Sequence, residues 1–247
     1  MRPTKEGLLV GGIGDITSVS CPLLEAEQDF FLRRRLAPNS FYTRHVTTTA
    51  PRRLGILGGT FDPPHAGHLA AALAVQTQVG LDDVVLMVAN EPWQKVGDRQ
   101  VTPARVRFEM TDALVQGISG LWADDREISR GGPTYTVDTL EEILADQPGT
   151  EIFLIVGADT AQRLETWHRA SDVVALSTIV IVNRDDVTNA SPGFLHGARV
   201  VNVSMAPVDV SSSAIREAVA RGESIDSVTS STVESIIRDH SLYVGTQ

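Results

Sequence analysis

The chain has 247 residues, 42% of them apolar and 21% charged, and a net charge of −10. That is ordinary globular composition, long enough to bury a core without disulfide or metal staples, and it argues against global disorder or a repeat array. The acidity excludes wholesale binding to nucleic acid or to an anionic membrane, both of which need a positive field, while leaving room for a local pocket for a small phosphate compound. In chain order, residues 23–36 (LLEAEQDFFLRRRL) predict one helix, ended by Pro38, and residues 39–51 are polar and Thr-rich like a linker. Cys21 is the only cysteine, which fits a reducing cytoplasm. Residues 1–50 are expected to be an N-terminal extension, a linker or a mis-assigned start, with Val46 as an alternative initiation point. Residues 51–247 are expected to form one α/β domain.

From Leu54 onward apolar runs alternate with helical patterns. Residues 54–57 (LGIL) predict a strand, followed by a Gly/Pro-rich turn and an alanine-rich helix over 68–79. Residues 84–89 (VVLMVA) predict a buried strand and 90–101 a polar loop. Thr102 reads as an N-cap with Pro103 at the first helical position of a helix reaching about Gln116. A strand is expected near 121–123, a loop through Pro133, a helix over 136–145 and a strand over 152–156 (IFLIV). Helical segments then follow to Ala175, with strands over 178–182 (TIVIV) and 199–203 and helices over 211–221 and 232–239. This alternation predicts a Rossmann-like parallel sheet with helices on both faces. Ligands of such sheets bind at the carboxyl ends of the strands, near the topological switch point, so the loops after Leu57, Ala89, Val156 and Val203 are the places to search. No apolar run approaches the ~18 residues that span a bilayer.

The densest motif is GGTFDPPHAGH at 58–68, directly after the first strand of the α/β region. Gly58 and Gly59 permit close backbone approach, Pro63 and Pro64 stiffen the turn, and His65 and His68 stand three apart at a helix mouth. The helix N-terminus adds unpaired N–H groups and partial positive charge, which suits a polyphosphate, and a nearby anion favours protonated imidazole. An isolated H-x-x-H is more often a polar helix start; the length of the motif and its place between strand and helix favour the ligand. Zinc is a weaker reading, because His168 and His196 are distant in sequence and no cysteine assists. GGIGD at 11–15 lacks the third glycine of a dinucleotide fingerprint, and no P-loop occurs. A second motif, VSSSAIR at 210–216, offers serine caps and donors at a helix start, with Arg216 one turn inside to grip phosphate oxygens.

With PWQK (92–95), RGGPTYTVDTL (130–140), GADT (157–160) followed by Trp167, and a closing IIRDHSLY (236–243), the chain resembles the bacterial nicotinate-nucleotide adenylyltransferases of the H-x-G-H nucleotidyltransferase superfamily over residues 52–245. The resemblance implies a nucleotidyltransferase domain over 51–247 with the nucleotidylyl transferase fold. It implies transfer of the adenylyl group of ATP to nicotinate mononucleotide, with Mg²⁺ carried on the ATP phosphates, in the cytoplasm. Carried over residue by residue, Gly59, Thr60 and Phe61 line the nucleotide site and His65 and His68 contact the phosphates. Gly157 and Asp159 bind adenosine, and Ser212 and Arg216 hold the triphosphate. Thr136 and Trp167 frame the nicotinate ring. Trp93 and Lys95 form either a phosphate lid or a solvated loop. His65, His68 and Arg216 are the expected catalytic residues, and no protein metal ligand is expected. Departures from the family pattern are His168, where many relatives carry an aromatic, and NRDD at 183–186, where relatives commonly have R-P-G. Alternatives are a nicotinamide-mononucleotide enzyme, another H-x-G-H nucleotidyltransferase, or a nucleotide sensor without turnover. Nothing in the sequence fixes an oligomeric state.

Overall fold

Six short strands, each built on an apolar run, pair into one all-parallel sheet in the computed structural model, which describes residues 51–91, 101–184 and 192–245. They are β1 (Arg53–Gly59), β2 (Asp83–Val88), β3 (Leu121–Asp124), β4 (Glu151–Gly157), β5 (Thr178–Arg184) and β6 (Val200–Met205), in the order β3-β2-β1-β4-β5-β6. The chain winds outward in one direction from β1 and in the other from β4. The switch point therefore lies between those two neighbours, whose register pairs Leu57 with Ile155.

Side chains alternate across the sheet, so each strand feeds two cores. Val84, Leu86 and Val88 of β2, with Phe153 and Ile155 of β4, enter one layer. There they meet α1 (Ala66–Val79), α2 (Ala104–Val115), α7 (Ser212–Ala220) and α8 (Ser231–Asp239). Val85 and Met87, with Ile152, Leu154 and Val156, enter the other, beneath α4 (Thr136–Asp146), α5 (Ala158–Ala161) and α6 (Ala170–Leu176). The expected Rossmann-like sheet with helices on both faces is thus what forms.

The differences from expectation are local. Helix α1 starts at Ala66, not at His68, because His65 caps it; Gly80 ends it in the left-handed region at φ 71°. Helix α2 has Pro103, not Thr102, as its N-cap, and no side chain caps it. Thr102 is engaged elsewhere: its N–H donates to Asp62 Oδ2 at 3.4 Å and its carbonyl accepts Arg107 Nε at 2.8 Å. Part of the loop expected before Pro133 coils into α3 (Arg126–Arg130), one and a half turns anchored by buried Glu127 and closed by Gly131 at φ 74°. The expected helix over 23–36, the linker, Cys21, Val46, Trp93, Lys95, Asp185 and Asp186 lie outside the described residues. Among the described residues no helix is long and apolar enough to cross a membrane.

Candidate active site

Beyond Leu57 and Ile155, β1 and β4 each run two residues further, to Gly59 and Gly157, so both glycine-bearing loops leave the sheet at the switch point. A Cβ on Gly59 would stand 2.8 Å from the Phe61 ring, which the chain folds back over it at φ 50°. That close approach requires glycine. The Phe61 ring is 2% exposed and offers its edge to His68 at 4.9 Å, so its side chain supports the site from below instead of lining it. The positions a Cβ would occupy on Gly58 and Gly157 face open space.

The two histidines close the start of α1 between them. His65 is the N-cap, its Nδ1 accepting the Gly67 N–H at 3.2 Å, while its own N–H donates to His68 Nδ1 at 3.2 Å. Imidazoles thus fill both roles of a reciprocal capping box. The rings stack with centroids 3.8 Å apart and 29° between planes. With both Nδ1 atoms accepting, each ring carries its proton on Nε2. The donor that each ring of the pair presents is its Nε2–H.

Helix α7 is drawn onto the same loop. Ser211 caps it, accepting the Ala214 N–H at 3.1 Å, and Ser212 Oγ donates to the Pro63 carbonyl at 2.8 Å. Arg216 donates from Nη1 to the Asp62 carbonyl at 2.8 Å and from Nη2 to Ser213 Oγ at 3.0 Å. Val210 Cγ1 lies 3.2 Å from where a Gly67 Cβ would stand, and Thr229 Oγ1 donates to the Pro64 carbonyl at 3.2 Å. His65, His68, Ser212 and Arg216 are therefore brought together, with two helix N-termini converging on one turn.

Sequence reasoning missed the residue that ties this turn to the rest of the rim. Arg107, 1% exposed, donates to the carbonyls of Thr60 (2.7 Å), Asn90 (2.8 Å) and Thr102 (2.8 Å). The signal existed: Arg107 shares the apolar stripe of α2 with Met110, Thr111 and Leu114, at i+3, i+4 and i+7. Asn90, just beyond β2, was also missed. Its N–H donates to Thr134 Oγ1 at 3.0 Å and its Nδ2 to the Gly132 carbonyl at 2.9 Å, which binds the RGGPTYT segment to the rim.

On the other side of the sheet, Gly157 is the N-cap of α5 and Asp159 stands exposed on its first turn. Thr136 is the first residue of α4, with Tyr135 as the N-cap. Tyr135 meets the His168 ring at 4.4 Å, which places Thr136 and Trp167 in one neighbourhood. Trp167 packs against the second core with its Nε1 buried and without a hydrogen-bond partner, so what it can offer a ligand is its ring face. Beneath this segment Thr139 Oγ1 donates to buried Glu127 at 2.7 Å and accepts Arg130 Nη2 at 2.8 Å. Burial pushes the Glu127 carboxyl above its ordinary range against the opposing Thr139 hydrogen bond and Arg130 charge. Among the described residues no three His, Cys, Asp or Glu side chains cluster as metal ligands.

Residues 56–218 match the cytidylyltransferase-like family model. A Dehalococcoides mccartyi protein (strain 195) named "Probable nicotinate-nucleotide adenylyltransferase" is 36% identical over 200 residues, covering 77% of this chain and 97% of its own. A Pseudomonas syringae pv. tomato protein of the same name is 36% identical over 214 residues, covering 79% and 96%. Among solved structures, the Plasmodium falciparum nicotinic acid mononucleotide adenylyltransferase complexed with NaAD overlays with a TM-score of 0.65 at 17% identity, covering 78% of this chain and 97% of that one. This likeness shows a shared fold.

Proposed function

The chain belongs to the cytidylyltransferase-like family and, within it, to the nicotinate-nucleotide adenylyltransferases, and on that premise we propose that it transfers the adenylyl group of ATP to nicotinate mononucleotide, giving nicotinate adenine dinucleotide and pyrophosphate for NAD biosynthesis. The observation that carries this reading is the convergence of His65, His68 and Arg216, with the N-termini of α1 and α7, on the turn leaving β1 at the switch point.

The nucleophile is the 5′-phosphate of the mononucleotide. Its second pKa is near ~6, so at neutral pH it is already largely dianionic and needs no general base. One of its oxygens attacks the α-phosphorus of ATP in line, the bond to the bridging oxygen breaks, and the electron pair leaves with pyrophosphate. The barrier is repulsion between anions, and the protein's task is positioning and donor placement. The His68 Nε2–H donates to the α-phosphate as charge develops there, and His65 shares that role or orients the β- and γ-phosphates. Ser212, at the positive end of α7, and Arg216 hold the triphosphate. Gly59, Thr60 and the Phe61 backbone line the nucleotide site. Gly157 lets adenosine approach and Asp159 accepts a ribose hydroxyl. Thr136 and the face of Trp167 frame the nicotinate ring. A divalent metal enters with the nucleotide, and we assign it as Mg²⁺. The net charge of −10 suits small nucleotides, not nucleic acid or membrane, and the single cysteine suits a cytoplasmic location.

Pyrophosphate release tests the proposal. ATP with nicotinate mononucleotide is expected to give rapid release, and ATP with nicotinamide mononucleotide far less. A preference for the amide moves the chain to the other substrate branch, and no release with either mononucleotide leaves a nucleotide-binding module without turnover.

A further inference from the structure

The closing motif IIRDHSLY takes no part in the chemistry above, yet its last residue reaches the centre of the site. Tyr243 lies four residues beyond α8 in a left-handed conformation (φ 61°). Its phenol donates to Asp62 Oδ1 at 2.6 Å and accepts Thr102 Oγ1 at 3.3 Å. Asp62 is 2% exposed, and its other carboxylate oxygen takes the Thr102 N–H. A carboxylate so buried is tolerated only when it is well bonded. The main-chain carbonyl of this same Asp62 is the acceptor of Arg216 Nη1. Asp62 is therefore gripped through its side chain from the C-terminal segment and holds the guanidinium through its backbone.

We propose that Tyr243 is a positioning residue for adenylyl transfer, its hydrogen bond to Asp62 fixing the carbonyl that aims Arg216. The inference rests on the functional reading above. Between Gly59 and α1 the chain has no regular structure to set carbonyl directions, and it carries a left-handed backbone at Phe61. The clasp supplies what secondary structure does not. Burial and the neighbouring carboxylate both strengthen the phenol's hold on its proton, so Tyr243 remains a donor through neutral and alkaline pH.

The test is Tyr243→Phe, which keeps the ring and its packing and removes only the hydroxyl, assayed by single-turnover pyrophosphate release in wild-type and Arg216→Lys backgrounds. The expected result is a rate about tenfold lower, as small misplacements of reacting groups produce, with an unchanged KM for nicotinate mononucleotide. In the Arg216→Lys background the hydroxyl no longer matters, and the double variant is no slower than Arg216→Lys alone. A folded Tyr243→Phe with wild-type rate, losses that multiply in the double variant, or a KM for the mononucleotide that rises with the rate loss overturns the proposal. If Tyr243→Phe does not fold, Asp62→Ala, which removes the acceptor of that hydrogen bond, is read in its place, with the same rate loss and the same non-additivity expected. Wild-type protein that releases no pyrophosphate strikes the functional reading itself, whereas an active wild type with an indifferent Tyr243→Phe strikes only this inference.

Discussion

His68 has one duty in this structure and a second in the proposed reaction, and substituting it twice tells them apart. Its Nδ1 accepts the His65 N–H and so completes the cap of α1. Its Nε2–H is the donor assigned to the α-phosphate. Asparagine places an acceptor near the position of Nδ1 but nothing at Nε2; glutamine places an amide N–H near Nε2 and leaves Nδ1 without a substitute. Loss of one preorganised donor costs about 2.7–4 kcal/mol in the transition state, a fall of roughly 10²–10³ in kcat. Loss of one cap bond costs about 1 kcal/mol of stability, which for a domain of this size lowers Tm by roughly 2–4 °C. His68→Asn is therefore expected to melt near the wild-type temperature and turn over at least about a hundredfold more slowly. His68→Gln is expected to melt a few degrees lower and keep much more of its activity. The measurements are differential scanning calorimetry and steady-state pyrophosphate release at saturating ATP. An active His68→Asn beside an inactive His68→Gln would refute the reasoning, since it would make the cap, not the donor, the part that catalysis needs.

Arg107→Met is expected to destabilise the fold by about 3 kcal/mol or more, because three carbonyls, one in a buried hydrogen bond and two in part-buried ones, lose charged donors worth roughly 1.5–3 kcal/mol each; urea unfolding that matches wild type would remove Arg107 from its role as the tie of the rim. Asp159→Ala is expected to raise KM for ATP about tenfold or more, the value of one charge-assisted hydrogen bond, with little effect on KM for the mononucleotide. An unchanged ATP KM takes Asp159 out of the site. Glu127→Gln addresses pH. Burial raises the folded-state carboxyl above its ordinary 4.5, so the folded protein binds that proton more tightly than the unfolded chain does. The associated stability is whole below pH 4.5 and is lost as pH rises through the raised value. The glutamine variant keeps an acceptor for Thr139 and has nothing to ionise, so its Tm should fall less than that of wild type between pH 4.5 and 7. Parallel Tm–pH curves would show that Glu127 ionises at its usual pH despite its burial.

Most of the fold was legible because a parallel sheet covered on both faces writes its strands as continuous apolar runs. VVLMVA and IFLIV need no partner to be recognised; the structure shifts the first by one residue, to 83–88, and extends the second by one at each end. Helix α3 was not legible, since five residues give no periodicity to read and its anchor, Glu127, is a charged residue turned inward. The turn chemistry also misled at Thr102–Pro103, where a good capping pair is overruled by Asp62, forty residues earlier in the chain. The site divides the same way. Glycines and histidines packed into eleven residues mark the candidate turn, because the cap bonds of its two histidines are local. Tyr243 meets Asp62 across 181 residues, a pairing that no local pattern encodes. The two backbone N–H groups that take Nδ1 of His68 and of His65 likewise become visible only once the helix start is built.

What makes this turn a plausible seat for three phosphates is where its carbonyls go. The carboxyl edge of a parallel sheet is lined with outward C=O groups, an unfavourable floor for a polyanion. Here the carbonyls of Thr60, Asp62, Pro63 and Pro64 are each bound by a side-chain donor, from Arg107, Arg216, Ser212 and Thr229 respectively. Pro63 and Pro64 have no N–H of their own, so the turn depends on other segments for this neutralisation, and three of the four donors come from the chain beyond residue 210. The C-terminal third thus does more than close the hydrophobic layer under α1 and α2. It cancels the partial negative charge of the turn while the N-termini of α1 and α7 add positive potential beside it. Two arginines among those donors and paired imidazole N–H groups fit the highly charged substrate proposed for this site while the protein as a whole carries a net charge of −10.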